Sequence, residues 1–95
     1  MIEYIYDCIR ASAGQEILIS AKLTNDDGSL ITENCFLNLY DTNGDHFYKT
    51  AGTVANGLWI FSIPADVTEG LKGRHWYCIG HNGSSLCFKE PIYLK

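Results

Sequence analysis

The chain reads as an all-β domain, an antiparallel sandwich, and three observations carry that expectation. Apolar and polar residues alternate at period two in several short runs, as half-buried strands require. Clusters of Asn, Asp, Gly and Ser separate these runs at hairpin spacing. No helical periodicity alternates with the strands, which argues against a parallel architecture of strands and crossover helices.

The clearest element runs from Arg74 to Lys89 and predicts a hairpin closed on Asn82-Gly83. Asn-Gly suits a two-residue type I′ turn, whose central residues both need positive φ. Centring the turn there opposes Ile79 to Leu86, Tyr77 to Phe88 and Cys78 to Cys87. One face is then apolar, and the other carries Trp76, Gly80 and the two cysteines, with Lys89 opposite Trp76. Counted back from the turn, Cys78 and Cys87 form a non-hydrogen-bonded pair. Such pairs bring Cα atoms to about 4.5 Å, at the short end of disulfide geometry. Cys78–Cys87 is therefore the candidate disulfide, set against the alternative of buried free thiols.

The remaining elements follow in order. Ile2 to Ile9 alternates on both sides and predicts a strand or an extended N-terminal arm within residues 1–10. Ile17, Ile19, Ala21 and Leu23 form the apolar side of the next strand, which ends at the turn Asn25-Asp26-Asp27-Gly28-Ser29. Cys35, Leu37 and Leu39 share a face of the strand 35–40. The turn Asp41-Thr42-Asn43-Gly44-Asp45 returns the chain into His46–Thr50. Residues 51–57 read as a small-residue connection. Trp59, Phe61 and Ile63 lie on one side of the richest strand, which Asn56-Gly57 and Pro64 bound. Pro64 to Leu71 is the helical candidate, with Pro in its first turn and Gly70 at its stop. Pro91 to Leu94 closes the chain as an edge strand.

These elements predict an immunoglobulin-like antiparallel β-sandwich of seven or eight short strands with one short helical turn, in a single domain over residues 1–95. A small closed barrel is the alternative.

Composition narrows function. A net charge of −4 with scattered basic residues argues against a nucleic-acid surface and against docking on anionic lipid. No apolar run reaches membrane-spanning length, and the first residues lack the pattern of a signal peptide. The expectation is a product made in the cytoplasm.

The motifs that suggest chemistry fall short of it. Asp41-x-Asn43-x-Asp45 echoes a calcium loop but places His46 and Gly52 where Gly and Glu belong, so it reads as a hairpin turn. Cys78 and His81 have near-ligand spacing but an odd separation, which puts them on opposite faces. Asn82-Gly83-Ser84 matches a glycosylation acceptor and reads as a turn. No nucleophile, phosphate-loop or zinc-protease motif is present. The expectation is a non-enzyme without cofactor or metal. Trp59 reads as core and Trp76 as the surface candidate.

Asp26-Asp27-Gly28-Ser29-Leu30, then Trp59-Ile60-Phe61-Ser62-Ile63-Pro64, then Val67-Thr68-Glu69-Gly70-Leu71-Lys72-Gly73-Arg74-His75-Trp76-Tyr77 stand in a recognisable order. The run resembles the small immunoglobulin-like domains of tailed-bacteriophage virion proteins, among them the N-terminal domain of the baseplate upper protein family. The resemblance covers most of residues 16–94. It implies a non-enzymatic structural component of a phage particle: a decoration, adaptor, tail or fibre-associated subunit located in the virion. Its implied partners are capsid, tail or fibre proteins, and it would be a homo-oligomer or stand in many copies. The edges at residues 2–9 and 91–94, with Tyr4, Tyr6, Tyr40, Tyr48, Trp76 and Tyr93, are the interface candidates. The alternative is a carbohydrate- or cell-surface-binding module built on Trp76 and nearby tyrosines.

Overall fold

The computed structural model describes residues 2–4, 9–11, 14–32, 34–81, 84–85 and 89–95, with side chains for 14–32, 34–81 and 89–95. In chain order the elements are β1 (Ile2–Tyr4), β2 (Ile9–Ala11), β3 (Ile17–Leu23), β4 (Cys35–Tyr40), β5 (His46–Ala51), β6 (Thr53–Ala55), β7 (Leu58–Ile63), α1 (Ala65–Thr68), β8 (Gly73–His81), β9 (Ser84–Ser85) and β10 (Glu90–Leu94). They form two sheets. The first has the order β1-β3-β7-β6. The second runs β2-β10-β8-β4-β5, with β9 paired to β8.

Period two decides which residues meet between the sheets. Ile17, Ile19, Ala21 and Leu23 of β3 and Trp59, Phe61 and Ile63 of β7 are buried from one side. Cys35, Leu37, Leu39, Tyr77, Ile79, Ile92 and Leu94 are buried from the other. Every one of these belongs to a single core cluster, flanked by the half-buried Tyr48, Val67 and Leu71. Trp59 is core as expected, and its indole N–H donates to Ile31 O at 2.6 Å. The turns behave as their chemistry demands. Gly28 (φ 89°) and Gly44 (φ 87°) take the positive-φ positions of the 25–29 and 41–45 turns.

Four details differ from the sequence expectation. The segment 51–57 is not merely a connection, because Thr53–Ala55 pairs with β7. Asn56 (φ 53°) and Gly57 (φ 78°) join the two strands, so this is a type I′ hairpin of the kind expected at Asn82-Gly83. Next, the N-terminal segment is not one strand. β1 pairs with β3 in the first sheet, while β2 pairs in parallel with β10 in the second. It follows that residues 91–94 are not an edge, since β10 lies between β2 and β8.

The last difference is one of register. Gly80 opposes Ser85 and His81 opposes Ser84, as a turn centred on 82–83 requires. Farther back, Tyr77 opposes Glu90 rather than Phe88, and Trp76 opposes Pro91 rather than Lys89. From the Gly80–Ser85 pair to the Tyr77–Glu90 pair, the chain advances three residues on β8 and five on the return, a slip of two. A slip of two leaves every side chain on its expected face, so the hydrophobic pattern cannot distinguish the two registers. Ile79–Leu86 and Cys78–Cys87 involve residues outside the described ones.

Candidate functional site

The outward face of the second sheet gathers side chains that the chain order keeps apart. Partners in register share a face, so Tyr40, Trp76 and Pro91 form one row across β4, β8 and β10. Arg74 and Tyr93 form a second row. Asn38 stands between Cys78 and Lys49, and Phe36 between Gly80 and Ala51. Phe36, Tyr40, Trp76 and Tyr93 are all half-buried. With strands about 4.8 Å apart and residues about 3.3 Å apart along them, these side chains cover a patch roughly 10 Å across the strands and about 20 Å along them.

Each ring carries a cation. Lys49 Nζ lies 4.4 Å from the Phe36 ring centre. The Arg74 guanidinium lies 5.5 Å from Trp76 and 5.4 Å from Tyr93, so one cation bridges two rings. Lys89 Nζ sits 4.0 Å from the Tyr40 ring and donates to Gly44 O at 3.1 Å, tying the β4–β5 turn to the lead-in of β10. His46 meets Tyr40 edge-on at 5.5 Å. Among the described residues, no hydrogen bond or ion pair engages the exposed Arg74, and no carboxylate shares this face. The outward face of the first sheet differs, with Leu18, Ser20, Ile60 and Ser62 in register.

The site residues expected from sequence distribute as follows. Trp76 and Tyr93 come together through Arg74. Tyr4 stands on β1, opposite Ala21 in the other sheet. Tyr6 and Cys87 lie outside the described residues. Cys78 shares the outward face yet is buried, with Sγ 4.0 Å from Ile79 O. Cys35 faces the core, and burial pushes its thiol pKa up. Sequence reasoning missed Phe36, Lys49 and Arg74 as members of one surface. The alternation Phe36-x-Asn38-x-Tyr40, opposite in phase to Cys35-x-Leu37-x-Leu39, was the signal available.

Two other places hold polar groups. An apolar recess of about 220 Å³, counting space open to solvent, is lined by Leu39, Phe47, Ile63, Thr68 and His75 among others. The irregularity between Leu39 and Tyr40 sets Phe47 beside His75, ring centres 6.1 Å apart. His75 Nδ1 is 3.3 Å from Gly73 O, and Thr68 Oγ1 is engaged by Gly14 N, Gln15 O and Ala65 O. These two side chains are not arranged as a nucleophile and its base. In the 41–45 turn, Asp41 Oδ1 accepts from the N–H groups of Asn43 and Asp45, an Asx turn. Among the described residues, no three His, Cys, Asp or Glu side chains are grouped to hold a metal ion. No described helix is long and apolar enough to cross a membrane.

No family model matches the chain, and no curated protein matches it. Solved structures do. The Lin-41 filamin domain superposes with a TM-score of 0.66 at 15% sequence identity, over 100% of this chain and 90% of that one. The fold is an immunoglobulin-like β-sandwich. Native Escherichia coli alpha-2-macroglobulin matches 97% of the chain at 18% identity with a TM-score of 0.63. The trypsin-activated form matches 96% at 17% identity with a TM-score of 0.64. The chain spans about 6% of the length of either macroglobulin chain. At these identities the likeness is one of fold, and fold does not carry function.

Proposed function

We propose that this immunoglobulin-like domain is a non-enzymatic module that binds another protein through the outward face of its second sheet. The observation that carries this reading is the convergence of four half-buried aromatic rings and three cations on one face. Aromatic residues and Arg are the types enriched at protein interfaces. The core is packed with side chains, and the recess beside His75 holds no acid–base or nucleophile arrangement. Support for the finer reading, a structural subunit of a tailed-phage particle that contacts capsid, tail or fibre proteins, comes from the motif order 26–30, 59–64 and 67–77 alone. The glycan-binding alternative is less favoured, because each ring of the face already has a cation over it.

Site-specific photocrosslinking tests the proposal in the cells or particles that make the protein. A photoreactive residue at Tyr93 or Trp76 is expected to yield adducts with the same identified protein, and one at Leu18 on the opposite sheet is not. Adducts with a virion protein would support the finer reading. Absence of any adduct specific to the second sheet would overturn the proposal.

A further inference from the structure

We infer that the occupant of this face is an acidic segment of a partner protein, whose carboxylates meet Arg74 first. The inference rests on the protein-binding reading and names the partner's chemistry. Three cations gather on one face of this acidic molecule. The chain carries 7 basic and 11 acidic residues, a net −4. Yet Lys49, Arg74 and Lys89 all attend the rings of one sheet face. Of the carboxylates whose side chains are described, Glu16, Asp26, Asp27, Asp66 and Glu69 lie in other segments, Glu90 stands opposite the inward-facing Tyr77, and Asp41 and Asp45 border the face in the turn that Lys89 contacts. A cluster of positive charge on one face of an acidic molecule steers and orients an anionic partner.

Arg74 is the group best prepared for this contact. Its guanidinium is exposed, held against Trp76 and Tyr93, and engaged in no hydrogen bond among the described residues. A guanidinium held near two rings by cation–π attraction leaves its N–H donors unspent, in the fork geometry that matches a carboxylate bidentately. Holding it in place beforehand reduces the ordering cost on binding. Lys49 and Lys89 flank it across β4 and β5 as point charges, while Pro91, Trp76 and Tyr40 offer apolar contact between them. Three cations on a chain of net −4 are too few for a nucleic-acid backbone, which needs a continuous basic stripe. The arrangement fits a short acidic peptide with interspersed aromatic or aliphatic residues.

The test uses the full chain, isotopically labelled, titrated with a Glu–Tyr copolymer and, separately, with polyglutamate, polylysine and sialyllactose. The copolymer is expected to shift the Trp76 indole and Arg74 side-chain resonances, with affinity falling steeply as salt rises. Arg74→Gln should weaken copolymer binding about tenfold, the scale of one charge-assisted bidentate contact. Lys22→Gln, which removes the same charge from the first sheet, should leave it unchanged. Equal weakening by both variants, or shifts that map to the first sheet, would overturn the inference. So would sialyllactose binding without copolymer binding. If the copolymer fails while photocrosslinking from Tyr93 still yields a specific protein, the acidic chemistry is wrong and the protein-binding reading stands. If those adducts join two copies of this chain, the occupant is a second copy and the inference also fails.

Discussion

Gly52 shows how narrow the tolerance is at single residues. The backbone there lies against the stacked pair Trp59–Phe61, whose ring centres are 6.2 Å apart, and its N–H donates to Cys35 O at 3.1 Å. A Cβ would stand 2.5 Å from Phe61 Cε1 and 2.9 Å from Trp59 Cε3, both in core rings with no room to retreat. Gly52→Ala should therefore cost about 1–3 kcal/mol by overpacking, measurable as a lowered urea midpoint. Thr68 is a second such point. It is 1% exposed, and its hydroxyl accepts from Gly14 N and donates to Gln15 O or Ala65 O, joining α1 to the entry of β3. Thr68→Val removes that junction and leaves the Gly14 N–H without its protein acceptor, so thermal unfolding should show a loss of about 1 kcal/mol. Thr68→Ser should retain most of the stability. At Asp27, the Ser29 hydroxyl and then the Ser29 N–H hold the carboxyl pKa below the ordinary 3.8. A carboxylate depressed in the folded state adds stability above its unfolded pKa, and that contribution disappears as pH falls through the lower folded value. A carboxyl NMR titration should place Asp27 below 3.8, and Ser29→Ala should move it part of the way back.

Elements settle the edges. β5 and β6 are the outer strands on one side of the sandwich, and Gly52 carries the chain from one sheet to the other between them. On the other side the short strands β1 and β2 shield β3 and β10. Short edge strands leave few unpaired backbone groups and discourage pairing between molecules. Deleting residues 1–11 removes both and uncovers β3 and β10, so light scattering should show concentration-dependent association that the full chain lacks. The β6–β7 hairpin depends on two consecutive positive-φ residues, Asn56 and Gly57. Asn56→Ala should cost about 1 kcal/mol, because Ala lacks the local hydrogen bonding that eases the left-handed region for Asn.

The whole molecule turns one sheet face into a distinct surface. Phe36, Tyr40, Trp76 and Tyr93 come from three strands, Lys49 from a fourth, and Lys89 from the residue before β10, so no single segment shows the surface. The charge contrast between this face and the turns makes association sensitive to ionic strength. Any partner bound through Arg74 should dissociate faster, and not merely associate more slowly, when that residue is replaced, because two rings hold the guanidinium in place before the partner arrives.

Local sequence determined the parts of this protein that local physics controls. The inward residues of β3, β4, β7 and β8 follow from period-two alternation, and the 25–29 and 41–45 turns from Asn, Asp and Gly chemistry. The Asn56-Gly57 hairpin was equally legible, since it obeys the rule that identifies Asn82-Gly83. Tertiary structure alone decided the rest. The N-terminal segment carries Ile2, Tyr4, Tyr6 and Cys8 on one side and Ile5 and Ile9 among Glu3 and Asp7 on the other, so alternation could not say that Ile2–Tyr4 and Ile9–Ala11 join different sheets. A slip of two residues between β8 and β10 preserves every face, so burial could not reveal that Trp76 meets Pro91 and that Lys89 is released to reach Gly44 and Tyr40. Placing Arg74 between Trp76 and Tyr93 needs that register and the β8–β10 pairing together, and strand pairing is a non-local choice that periodicity within a strand does not encode.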